Sequence, residues 1–139
     1  MFLLDTNVVS ELRRPERADP SVMRWSRQHE GSAFSLSVFT VHELEYGTLV
    51  LERRDPVQGR GLRKWLSEKV LPDFANRILP ATAEIAVVAA RMHTPHRRAE
   101  KDAWIAATAL VHGLTVATRN TRDFESTGVK LFNPWTGKT

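Results

Sequence analysis

Phe2-Leu3-Leu4-Asp5-Thr6-Asn7-Val8-Val9-Ser10-Glu11 is the stretch that decides the fold class. An apolar run stops at an acid, and a helix-compatible segment, Val8 to Arg14, follows and ends near Pro15. A short apolar run without alternation is the pattern of a strand buried on both faces, as in a parallel sheet. An acid directly after such a strand lies where open α/β sheets bind ligands, outside the carboxyl ends of the strands. The segment therefore predicts a parallel sheet and marks Asp5 as a candidate site residue. The plain alternative is that Asp5 only caps the following helix.

Outward from this stretch, strand-like and helix-like pieces alternate. Pro20-Ser21 opens a helix to about Glu30, closed by Gly31; Ala33 to Leu36 reads as a strand. Ser37 is placed to cap a helix from Val38 to about Arg53, and Pro56 to Asn76 reads as another helix. Ile78-Leu79 is a third strand, Thr82 to Met92 an Ala- and Val-rich helix, and Ala99 to His112 the clearest helix, stopped by Gly113. Leu114 to Thr118 and Val129 to Phe132 are the last strands, separated by a polar connection. This alternation predicts one α/β domain, a parallel sheet with helices on both faces. No composition shift marks a boundary, so residues 1–135 are expected to form the domain and 136–139 a frayed tail.

Composition excludes several classes of chemistry. There is no cysteine, which removes disulfides, cysteine-ligated zinc and thiol catalysis and suits a reducing, cytoplasmic setting. The net charge of +4 favours a polyanionic partner. The initial apolar run is cut at Asp5, so no secretory signal is expected. The longest uncharged stretch, Ala103 to Thr118, falls short of the roughly 20 apolar residues that a membrane span needs. The terminal Gly137-Lys138-Thr139 lacks the upstream glycine and following helix of a phosphate loop.

Three further acids stand where a surface charge is not the easy explanation. Glu43 lies mid-helix on a face with Phe39, Tyr46, Gly47 and Val50, so its carboxylate is expected to point inward. A place at the edge of an amphipathic helix, or an ion pair with an arginine, is the ordinary alternative. Asp102 opens the helix that carries Ile105, Ala106 and Ala109; taken alone, an N-cap or a favourable charge at the helix dipole is its simpler explanation. Asp123 follows the fourth strand, where both site loops and ordinary turns occur. Singly these acids decide little; together they can meet at one edge of a parallel sheet. Carboxylates brought together repel, and a hard divalent cation with oxygen ligands is the usual remedy. Such an ion stabilises charge on phosphate and activates water for in-line attack.

These motifs resemble the PIN-domain nucleases. Leu3 to Glu11 is similar to that family's opening strand and turn, and Ser37 to Gly47, with Glu43, to its second acidic motif. Asp102-Ala103-Trp104-Ile105-Ala106-Ala107-Thr108-Ala109 is similar to the third, and Thr118-Arg119-Asn120-Thr121-Arg122-Asp123-Phe124 to the fourth. Asn133-Pro134-Trp135 resembles a common ending. The motifs keep the family's order from Phe2 to Trp135, and the nearest subgroup is the VapC- or FitB-like toxins of toxin–antitoxin pairs. The resemblance implies a PIN fold with about four to five parallel strands, and an endoribonuclease dependent on Mg2+ or Mn2+. It also implies a cognate antitoxin, a toxin homodimer and an RNA substrate. Asp5, Glu43 and Asp102 would be the core metal acids and Asp123 a more peripheral fourth. Thr6 and Thr118 would support them with hydroxyls and Asn120 with its amide. One departure is the basic approach His93-Thr94-Pro95-His96-Arg97-Arg98 before Asp102.

Arginines at 13, 14, 97 and 98 are candidates for RNA phosphate contacts, Arg97 and Arg98 foremost because they precede Asp102. Solvated helix ends are their ordinary alternative. A PIN-like protein that binds RNA or antitoxin without cleaving is the competing reading, and the four intact acids argue against it.

Overall fold

Consecutive leucines in β1 (Phe2–Leu4) belong to two different cores, because successive side chains of a strand point to opposite faces. The computed structural model describes residues 1–139. β1 is the centre of a five-stranded, wholly parallel sheet ordered β3-β2-β1-β4-β5. The other strands are β2 (Phe34–Ser37), β3 (Ile78–Leu79), β4 (Thr115–Ala117) and β5 (Leu131–Phe132). The helices are α1 (Thr6–Glu11), α2 (Pro20–Arg27), α3 (Val38–Arg54), α4 (Pro56–Trp65), α5 (Leu71–Asp73), α6 (Ala83–Arg91) and α7 (Glu100–His112).

Leu3 and Val116 face a core completed by α6 and α7 through Ile85, Ala89 and Ile105. Leu4 and Ala117 face the other, completed by Val8, Val9, Trp25 and Leu44 from α1, α2 and α3. Helices therefore cover both faces, as the apolar strands require. Along α7, Ala103, Ala106, Ala107 and Ala109 have no exposed surface, so this helix lies close against the sheet. Its end is fixed by Gly113 at φ 67°, where a side chain would be strained. The Leu114 amide then donates to the Ala109 carbonyl (2.8 Å), turning the chain straight into β4.

Three expectations change. The helix foreseen over 56–76 is broken: α4 stops at Trp65, a π-helical turn spans Leu66–Val70, and α5 is brief. Pro72 supplies no amide and its ring crowds the preceding turn, so the backbone widens just upstream. The polar connection after β4 contains a 3-10 turn, Thr121–Phe124, whose Phe124 enters the first core. The tail does not fray. Asn133 pairs with Lys138, the Gly137 amide donates to the Asn133 carbonyl (2.8 Å), and the Asn133 side-chain amide donates to the Arg119 carbonyl (3.3 Å). The Arg119 guanidinium lies over Trp135, 5.2 Å from the ring centre. No helix is long and apolar enough to cross a membrane.

Candidate active site at the carboxyl ends of the strands

Register brings the first two site residues together. Leu4 and Ala117 are partners in adjacent parallel strands, so the next residues, Asp5 and Thr118, emerge side by side at the sheet's carboxyl edge. The Asp5 amide still donates to the Ala117 carbonyl (3.0 Å), which holds the edge in line. Asp5 is only 2% exposed, and its carboxylate accepts from three donors. Oδ1 accepts from the Thr6 amide (2.8 Å), and Oδ2 from the Thr118 hydroxyl (2.8 Å) and the Asn7 side-chain amide (3.4 Å). Asp5 thus caps α1 and at the same time stands at the sheet's carboxyl edge beside Thr118.

Asp102 arrives from the first turn of α7, buried at 9% exposure, and Glu43 from the second turn of α3. Both meet Asp5 at a single cation, the Lys101 ammonium. Its Nζ lies 3.1 Å from a Glu43 oxygen, 3.5 Å from Asp5 Oδ1 and 4.0 Å from Asp102 Oδ1. The carboxylates are not preassembled into a metal-binding group of three; they surround the ammonium instead. Burial above all pushes the Asp102 carboxyl up; the charges of Asp5, Asp123 and Glu43 add to this, against the downward pull of Lys101. Burial disfavours the charge on Lys101, but Asp5, Glu43 and Asp102 together hold its ammonium above the ordinary lysine value. Asp123 is exposed on its 3-10 turn and joins the cluster by its field on Asp102 rather than by contact.

The supporting residues differ in detail from expectation. The Thr118 hydroxyl donates to Asp5 Oδ2 (2.8 Å). Asn120 acts through its backbone amide, which donates to Thr118 Oγ1 (3.0 Å), and not through its side chain. The amide side chain in the site is that of Asn7, which also accepts from the Arg119 backbone amide (3.3 Å). Thr6 caps through its amide, and its buried hydroxyl has no partner. The face of Glu43 was also misjudged. Tyr46 and Val50 are 63% and 43% exposed, because the core stripe of α3 runs through Thr40, Leu44 and Thr48. Glu43 stands at the edge of that stripe, half-exposed, and reaches the site over it.

Lys101 escaped the sequence reading, although a signal exists. A cation in the first turn of a helix faces the positive end of the dipole and is locally unfavourable. It belongs there only if negative charge is packed nearby.

A groove of about 470 Å3 opens beside Glu43, lined also by Thr6, Ser10, Arg13, Arg54 and Trp65. A larger cavity of about 600 Å3, between Pro15 and Gln28, holds none of the clustered acids. Of the four candidate arginines, Arg13 lines the acid-side groove, and Arg14 lies one residue further out beside Arg17. Arg97 is exposed and pairs with Glu100 (3.5 Å). Arg98 is committed to the backbone, donating to the Met92 (2.7 Å) and Glu125 (3.2 Å) carbonyls.

A doubly covered parallel sheet with acids converging at its carboxyl edge defines an α/β protein whose acidic cluster lies where such sheets bind ligands. The family model of the PIN domain matches residues 2–130, and the chain belongs to the PIN-domain family. It is 39% identical to VapC ribonuclease Y4jK of Sinorhizobium fredii, over 97% of this chain and 98% of that one. It is also 39% identical to Toxin FitB of Neisseria gonorrhoeae, over 97% and 99%. The crystal structure of FitAcB from Neisseria gonorrhoeae superposes with a TM-score of 0.86 at 38% identity, covering 97% of this chain and 99% of that one.

Proposed function

We propose that this protein is the ribonuclease toxin of a toxin–antitoxin pair, hydrolysing RNA phosphodiester bonds with a divalent cation, Mg2+ or Mn2+. The observation that carries the reading is the gathering of Asp5, Glu43 and Asp102 from β1, α3 and α7 around one positive charge. The donor set fits the ion: all three residues offer hard carboxylate oxygens, and the Lys101 ammonium stands where a cation is wanted. Asp5, Glu43 and Asp102 would hold the metal, with Asp123 modulating the field. When bound, the ion would polarise the scissile phosphate and lower the pKa of an attacking water.

The chain's own residues supply the rest. Thr118 and Asn7 fix the Asp5 carboxylate, so its orientation is set before substrate arrives. The groove beside Glu43 gives a single strand a path away from the acids, and Arg13 and Arg54 on its wall suit backbone phosphates. The names carried by two relatives, a VapC ribonuclease and a FitB toxin, support the substrate class and the role. A cognate antitoxin, a homodimer and a cytoplasmic setting complete the reading.

The test is incubation of a defined RNA panel, with single-stranded DNA and a phosphomonoester beside it, with Mg2+ and with chelator. RNA alone should be cut, at mapped positions, only with the metal and not by Asp5→Asn protein. Cleavage that persists in chelator, or in that variant, refutes it.

A further inference from the structure

Lys101 carries more than its place in the site requires. Its side chain is one-third exposed, yet the ammonium turns inward to three acids from three elements. It is the only lysine or arginine paired with Asp5, Glu43 or Asp102. Its distances of 3.1 to 4.0 Å describe a point charge shared loosely among three partners, not a closed two-toothed pair. Oxygen ligands of magnesium close to about 2.1 Å from the ion, so the acids cannot contract onto a metal while the ammonium stays between them. A four-carbon flexible stem lets the ammonium leave without moving α7.

We propose that Lys101 is a resident counter-ion that holds the acidic site together when metal is absent and must be displaced for the divalent cation to bind. Metal affinity is thereby set by an exchange of one cation for another within a single chain. Lys101 is a positioning residue in this scheme, touching neither substrate nor reacting atoms. The inference rests on the metal-site reading above, and its test separates the two.

Metal-stripped wild-type protein, Lys101→Met and Lys101→Gln are titrated with Mn2+ by calorimetry and melted in chelator and in saturating Mn2+. Both variants should bind Mn2+ roughly tenfold tighter, since a competing positive charge a few ångströms away is gone. Both should melt below wild type in chelator, where three acids are left uncompensated, and the deficit should close in Mn2+. Equal or weaker Mn2+ binding by the variants, with wild type binding normally, overturns the exchange. So does an unchanged melting temperature in chelator. Absence of Mn2+ binding by all three folded proteins overturns the metal site itself, and the exchange with it.

Discussion

Two clusters of charge stand on α3, and they are built differently. On its outer side Arg63 of α4 grips Glu45 with two bonds of 2.7 Å and Glu52 with two of 2.9 and 3.3 Å. On its inner side Glu43 shares the Lys101 ammonium with Asp5 and Asp102 at 3.1 to 4.0 Å. The outer cluster is closed: hydrogen bonds from Arg63 lower both Glu45 and Glu52, and these acids raise Arg63 in return. The inner cluster sets three acids against one cation, and Asp102 is pushed up rather than down. A saturated fork is a fastener; an under-neutralised cluster with a movable point charge is a place for exchange. Charge in the first holds two helices together; in the second it gathers acids from three elements, where the proposed exchange of cations would take place.

The strongest way to break the comparison is Asp5→Asn, which keeps the capping shape but removes the best-fixed acid. It should cost RNA cleavage about a hundredfold or more, beyond what loss of an outer partner typically costs, with the folded state retained by circular dichroism. Thr118→Val removes the hydroxyl that orients Asp5 and should lower cleavage by about ten- to a hundredfold, measured at saturating Mg2+. On the fastener side, Gly59 is decisive. A Cβ there would stand 2.5 Å from the Glu52 Cα, so Gly59→Ala must push α4 off α3. It should destabilise by about 1–3 kcal/mol in urea melts while leaving cleavage per folded molecule unchanged. Asp123→Asn, acting only through its field, should reduce cleavage only a few-fold, about 1 kcal/mol or less in the barrier.

The smallest effect is Arg63→Met, a modest drop in melting temperature that shrinks as salt rises. Its pH dependence has a definite sign. Glu45 and Glu52 are lowered in the folded state, so the clasp's contribution is full above their unfolded pKa and disappears as acid reprotonates them. The wild-type advantage over Arg63→Met should therefore be present at neutral pH and vanish in acid.

The sheet was legible chiefly from β1, an apolar run stopped at Asp5, and from the turn and cap residues between the other short strands. The convergence of acids was legible as a possibility of topology. Its geometry was not, since the pairing of Asp5 with Thr118 depends on strand register. Period alone put Glu43 on an inward face, but the stripe actually buried runs one position later, through Leu44. Lys101 was overlooked because a lysine beside an aspartate reads as solvated charge until three elements are folded onto it. Asn120 was expected to reach the acids through its side chain, whereas its backbone amide donates to Thr118 and the side-chain amide bonded to Asp5 is that of Asn7, because backbone and side-chain donors are indistinguishable in a string of letters. Arg98 was favoured for nearness to Asp102, whereas its guanidinium braces the Met92 and Glu125 carbonyls.

The closing turn at Asn133 has a genetic consequence. That turn is tied to Arg119, whose backbone amide is held by Asn7, and Asn7 in turn holds Asp5. A stop codon just after Phe132 would spare every acid and every strand yet slacken the loop that aims the buried one. A nonsense lesion just after Phe132 should therefore be scored as a lesion of the proposed site, not as a harmless trim.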